Sequence, residues 1–131
     1  MTNAIRTMLL AAIGLAWAAV PAPAMETLLV LRASKDFPRI SEGDLVELPD
    51  GRLCVVYSRF TGGGGDESAA DLAAQTSADG GKTWSPPRIV VKNEGRCNVM
   101  SASLLRLKSG ELLLFYLRKD SQATSCNLYV R

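Results

Sequence analysis

The sequence predicts an all-β fold, the repeated four-stranded sheets of a β-propeller, on three observations. Residues 45–59 recur as residues 104–118, an offset of 59, with Leu45, Leu48, Gly51, Leu53, Tyr57 and Arg59 each meeting the same residue type. Each copy reads as a strand, a two-residue Asp-Gly or Ser-Gly turn and a second strand, which is a β-hairpin. Finally, Ser77-Ala78-Asp79-Gly80-Gly81-Lys82-Thr83-Trp84 fits the pattern S-x-D-x-G-x-T-W. In it, Gly80 and Gly81 permit a turn with positive φ, Asp79 can bond turn amides, and Trp84 folds back as an apolar plug.

The elements follow in order. Arg6 gives a weakly positive start, residues 8–20 are an uncharged Ala/Leu-rich run, and Ala22-Pro23-Ala24 is a small-residue site ahead of Met25. These features predict that residues 1–24 are a signal peptide cleaved after Ala24, giving a secreted or periplasmic protein. The apolar run is shorter than the roughly 20 residues that span a bilayer, and Pro21 and Pro23 follow at once, so no membrane attachment is expected after cleavage. Residues 25–131 are predicted to form an incomplete propeller domain. Within it, residues 25–32 read as a short strand, a candidate for the one that closes the ring's last blade.

The first blade spans about residues 40–95. After its hairpin comes a Gly-rich loop at residues 61–66. Residues 67–75 are Ala-rich and favour a helix by propensity alone, but the turn motif that follows requires a strand leading into it, so a strand is predicted at 71–76. A fourth strand falls at 88–92. The second blade covers about residues 99–131. Its own turn motif would lie near position 136, past Arg131, so the chain is expected to be an N-terminal fragment, inactive alone, of a ring that closes with roughly 4–8 blades.

Composition narrows the chemistry. The formal net charge is +2 and there is no His, which removes Ser-His-Asp and Cys-His catalysis and the commonest metal ligand. Carboxylates, arginines and hydroxyls remain. Lys and Arg are scattered singly, without the clustered footprint of a nucleic-acid partner. Cys54, Cys97 and Cys126 match no zinc spacing, and no metal or cofactor is expected. Cys54 reads as a small core residue. Cys97 and Cys126 flank one hairpin, where a disulfide and two separate thiols both remain open.

Antiparallel connectivity sorts the loops. The hairpin turns and the 77–84 turn emerge at one end, while the entries to the blades and the Gly-rich loop emerge at the other. Arg39, Arg59, Asp66 and Met100 all fall at that second end.

The 77–84 motif resembles the Asp-box of sialidases and other β-propellers, a structural turn in which Ser77, Asp79, Gly81 and Trp84 are the defining positions. The resemblance sharpens to the exo-α-sialidases, the neuraminidase superfamily with BNR repeats, over most of the chain after residue 24. Phe37-Pro38-Arg39-Ile40-Ser41 takes the place of that family's aromatic-Arg-Ile-Pro motif. Pro38 is inserted ahead of the arginine, Ser41 replaces the proline, and Val99-Met100 is followed by Ser101-Ala102 where the family tends to have Asp-Pro.

This resemblance implies a propeller of about six blades and a retaining glycosidase that removes terminal sialic acid, or a related acidic sugar, from glycoconjugates. Arg39 is then one of the arginines that clamp the sugar carboxylate, Asp66 the catalytic acid/base, Arg59 a contact to the sugar ring and Met100 a lining residue. The family's nucleophilic tyrosine, its Glu partner and two further arginines come from later blades. The residue types suit the chemistry, since a guanidinium holds a carboxylate by a planar two-point contact. A carboxylic acid on a Gly-rich loop can protonate the leaving oxygen if burial raises its pKa. Two plainer readings stand beside these: Arg39 as a surface arginine paired with Glu42, and Asp66 as an ordinary turn residue. An alternative function is a non-catalytic propeller that binds glycan or protein, which the Asp-box alone does not distinguish.

Overall fold

Seven antiparallel strands form two sheets in the computed structural model, which describes residues 25–121, 123 and 125–131; the expected signal peptide lies outside them. The first sheet has the order β1 (Arg39–Glu47), β2 (Leu53–Phe60), β3 (Ala70–Ser77), β4 (Arg88–Val91). The second has the order β5 (Asn98–Arg106), β6 (Leu112–Ser121), β7 (Ser125–Val130). The architecture is all-β, with no helix among the described residues.

Strand alternation builds the core. On β2, Cys54, Val56, Ser58 and Phe60 share one face, and Val55, Tyr57 and Arg59 the other. Cys54, Val56, Leu72 and Ala74 of the first sheet pack against Val99, Ala102 and Tyr116 of the second, with Leu104, Leu114 and Tyr129 at the margin. The Ala-rich segment is a strand, because Ala70, Leu72, Ala73 and Ala74 are at most 1% exposed and covered on both faces. Small side chains suit that double burial, and tertiary packing outweighs helix propensity.

The 59-residue repeat is also a repeat of backbone geometry. Glu42 (φ 39°) and Ser101 (φ 59°), equivalent in the repeat, each take the left-handed region where the first strand of their sheet slips register as a β-bulge. At the first bulge a Cβ on Gly43 would stand 2.9 Å from the Val56 carbonyl oxygen, so the strands approach too closely for a side chain. Equivalent positions also meet across the sheets. The Asp44 carboxylate accepts from the Leu104 amide (2.7 Å) and the Ser103 hydroxyl (3.3 Å), and Arg106 donates to the Glu47 carbonyl.

Two sequence expectations need correction. The hairpin turns hold three residues rather than two: Leu48 pairs with Arg52 and Leu107 with Glu111, closing loops at Pro49-Asp50-Gly51 and Lys108-Ser109-Gly110. The last residue of each loop is left-handed (Gly51 φ 81°, Gly110 φ 93°), and the Gly51 and Gly110 amides donate back to Leu48 and Leu107. This is the three-residue loop with a glycine bulge. Residues 25–32 are not a strand. They cross the outer face of the first sheet, where Leu28, Leu29 and Leu31 line a groove of about 600 Å³ with Leu45, Val55 and Trp84. Lying over a face, they meet side chains and not the amide row of a sheet edge.

Cys54, Cys97 and Cys126 are all free thiols. Lys119 separates the latter two: the Cys97 amide donates to its carbonyl on one side (2.9 Å), and Cys126 pairs with it on the other. Two strand spacings, roughly 9–10 Å, exceed the Cα separation a disulfide can close.

The Ser77–Trp84 turn carries a dense polar network. Ser77 donates its hydroxyl proton to Asp79 (2.8 Å) and accepts from the Gly81 amide (2.8 Å). Asp79 accepts from the Thr83 amide (2.9 Å) and hydroxyl (2.6 Å), and the Trp84 indole donates to the Gly81 carbonyl (2.9 Å). The Thr83 hydroxyl, then the Thr83 amide and the Ser77 hydroxyl, lower the Asp79 carboxyl to about 2. A depressed carboxyl stabilises the fold fully above its unfolded pKa of roughly 3.9 and loses that contribution as pH falls through the folded value. Wild type is therefore expected to lose stability between about pH 4 and 2 more steeply than Asp79→Asn. Urea midpoints across that range check this, and parallel pH profiles would count against it.

Candidate functional site

The end of the sheets opposite the Ser77–Trp84 turn is assembled from the start of β1, the loop between β2 and β3, the start of β5 and the end of β6. In the loop, the Thr61 and Gly62 amides both donate to the Ala69 carbonyl (2.7 and 3.2 Å), and the Ser68 amide donates to the Gly65 carbonyl (3.0 Å). That last bond closes a turn with Asp66 and Glu67 at its tip. Gly63 (φ 137°) takes a backbone conformation that residues with a side chain rarely adopt, which favours glycine there.

Arg39 pairs across the ladder with Phe60 and extends over its ring, with the guanidinium carbon 4.4 Å from the centroid. Its Nε donates to the Ser41 hydroxyl (2.9 Å), Nη1 to Asp66 Oδ1 (2.5 Å) and Nη2 to Glu42 Oε1 (2.6 Å). The left-handed bulge residue Glu42 thus supplies a second carboxylate to the same cation. The Asp66 contact, the largest of several causes, raises the Arg39 pKa.

Asp66 departs from the sequence expectation of a carboxyl raised by burial. Its side chain is 60% exposed, and the Arg39 hydrogen bond, reinforced by the Arg39 charge and more weakly by Lys119, holds its carboxyl below the usual range. Exposure leaves little desolvation to oppose the ion pair, so the resting group is a carboxylate.

Arg59 is not brought together with Arg39 and Asp66. It pairs across the ladder with Ile40, one position from the Arg39–Phe60 pair, and adjacent positions face opposite ways. On the outer face it holds Asp71 through two bonds (3.0 and 3.1 Å) and stacks over Phe37 (4.4 Å to the centroid), with both charged side chains largely buried. A short turn sends Phe37 to that face, with its amide donating to the Ser34 hydroxyl (3.1 Å). Phe60 therefore stands beneath Arg39, and the aromatic of the sequence motif serves Arg59. Met100 is half-buried on β5 and by alternation shares a face with Asn98, two residues nearer the loop.

Two residues absent from the sequence reading complete the site. Asn98 Nδ2 donates to the carbonyls of Asp66 (2.7 Å) and Ser68 (3.0 Å), and Lys119 Nζ lies 3.5 Å from the Asp66 carbonyl. The repeat could have found the first, because Asn98 is the equivalent of Arg39 at the 59-residue offset. Chemically, the arrangement presents a guanidinium on an aromatic platform with a carboxylate in its grip, a layout able to exchange one carboxylate for another. No protein-family model matches the chain, and no curated protein matches it in sequence.

Proposed function

We propose that the two sheets are consecutive blades of a sialidase-type propeller of about six blades, which removes terminal sialic acid or a related acidic sugar from glycoconjugates with retention. The observation that carries this reading is the convergence of Arg39 and Asp66 at the end opposite the Asp-box turn. The stacking of the sheets supports it. Tyr57 lies on the outer face of the first sheet, whereas its repeat equivalent Tyr116 lies on the inner face of the second, so the sheets stack in the same sense, as blades around an axis do.

In this reading the sugar carboxylate takes the place of Asp66 on Arg39, which a planar guanidinium permits without moving its own platform. Asp66 then loses the contact that lowers its pKa, which rises toward the ordinary carboxylate range and leaves the group better able to carry the proton for the leaving oxygen. An anionic substrate repels a carboxylate nucleophile, which is why this chemistry uses a tyrosine, drawn here from a further blade.

One observation favours a second reading. The resting Asp66 is exposed and ionised, as suits a site that binds an acidic glycan without cleaving it. The test is release of a fluorogenic aglycone from an α-sialoside by the complete propeller. Release is the expected result, and sialoside binding without release selects the non-catalytic reading.

A further inference from the structure

Asn98 opens β5 as Arg39 opens β1, and the two occupy the same place in the 59-residue repeat. Both converge on Asp66: Arg39 holds its carboxylate, and Asn98 holds its backbone. Asn98 is fully buried, and its two amide protons reach the carbonyls of Asp66 and Ser68, which flank Glu67 in the loop turn. The ladder partner of Asn98, Lys119, directs its ammonium to the same Asp66 carbonyl.

The strand entry that carries Asn98 is itself tightly held. Asn93 Nδ2 donates to the Cys97 carbonyl (2.9 Å), the Gly95 amide donates to Asn93 Oδ1 (3.1 Å), and the Cys97 amide donates to the Lys119 carbonyl (2.9 Å). A Cβ on Gly95 would stand 2.6 Å from the Asn98 carbonyl oxygen and 2.7 Å from that of Lys119, so no side chain fits. Asn98 Oδ1 is buried with no hydrogen-bond partner among the described residues. A buried unpaired acceptor carries a desolvation cost that an apolar residue would avoid, which places the value of this amide on its nitrogen.

We infer that Asn98 is a positioning residue: from the neighbouring sheet it clamps the turn that bears Asp66 and so sets the Arg39–Asp66 contact. The inference deepens the functional reading above in assigning what orients the acid, but its geometry concerns Asp66 whatever the protein's activity. It also gives the second sheet a part in the site, since the first alone leaves the turn without this clamp.

The test uses NMR on the protein without any sugar. In wild type, the Asn98 side-chain amide protons are expected to exchange at least about tenfold more slowly than those of exposed Asn127. In Asn98→Ala the Asp66 carboxyl should titrate at a higher pH than in wild type, toward an ordinary carboxylate. Exchange at the Ser68 amide should rise about tenfold or more, while the amides of Val56 and Leu72 stay protected. Asn98→Gln, which keeps both donors, should restore part of the Asp66 depression. A folded Asn98→Ala protein with unchanged Asp66 titration and Ser68 exchange overturns the inference. Should the variants not fold, fast exchange of the Asn98 side chain in wild type overturns it equally. A protein inert toward sialosides whose Asp66 still responds to Asn98 keeps this inference and loses the sialidase reading.

Discussion

On the proposed sialidase reading, Asp66→Ala in the propeller that reading implies is expected to lower sialoside turnover by about 10²- to 10⁴-fold, the range carried by one positioned general acid. The side chain stands at the tip of a turn, exposed, with Arg39 as its side-chain partner, so its removal should spare the fold and act on chemistry. The pH profile gives a finer check. Arg39 holds the Asp66 carboxyl low in the free protein, and a bound sugar carboxylate that displaces it lets the pKa climb. Because kcat/KM reports the free enzyme and kcat the complex, the alkaline limb assigned to the acid should lie at higher pH in kcat than in kcat/KM. Undiminished turnover in Asp66→Ala removes the residue from catalysis, and coincident limbs remove the exchange of partners on Arg39.

Phe60→Ala should be among the most damaging single changes to the fold. The ring is 0% exposed, so truncation combines lost burial with a cavity, at a cost of about 3–5 kcal/mol. Domains of this kind have roughly 5–15 kcal/mol in total, so the loss is a large fraction of the whole. It reaches the site as well, because the same ring is the platform beneath the Arg39 guanidinium. Phe60→Leu separates the two roles: it refills most of the volume and should recover most of the stability, yet it removes the aromatic face that attracts the cation. Urea midpoints at constant slope measure the first effect. A Phe60→Ala protein within about 1 kcal/mol of wild type would contradict the core assignment.

Much of the fold was written in periodicities that the chain states openly. The alternation on β2 and the Ser77–Trp84 motif each point to one backbone solution, and the second was enough to turn the Ala-rich segment into β3 against its own propensity. Loop length was less legible, because Asp50-Gly51 suits both a two-residue turn and the last two positions of a three-residue loop. Residues 25–32 carry a short apolar run, Leu28-Leu29-Val30-Leu31, that reads as a strand, but a strand exists only where an edge is offered. The site was legible by end and not by face. Connectivity placed Arg39, Arg59 and Asp66 at one rim, but the Arg39–Phe60 register that turns Arg59 away depends on the bulge at Glu42, which no residue type announces. The lowered pKa of Asp66 follows from how close Arg39 comes, and the part played by Asn98 from the packing of one sheet on the other. Both are tertiary facts.

The proposed chemistry turns on one exchange, a sugar carboxylate for Asp66 on the Arg39 guanidinium. Titration of the protein with sialic acid, followed by NMR at the Arg39 Nε, the Asp66 carboxyl and the Trp84 indole, reads that exchange directly. The predicted result is a joint shift at Arg39 and Asp66, with Asp66 titrating at higher pH in the complex, Trp84 at the far end unmoved, and the response lost in Arg39→Lys. Sialic acid that leaves Arg39 and Asp66 unperturbed, or that acts at the Trp84 end, would contradict it.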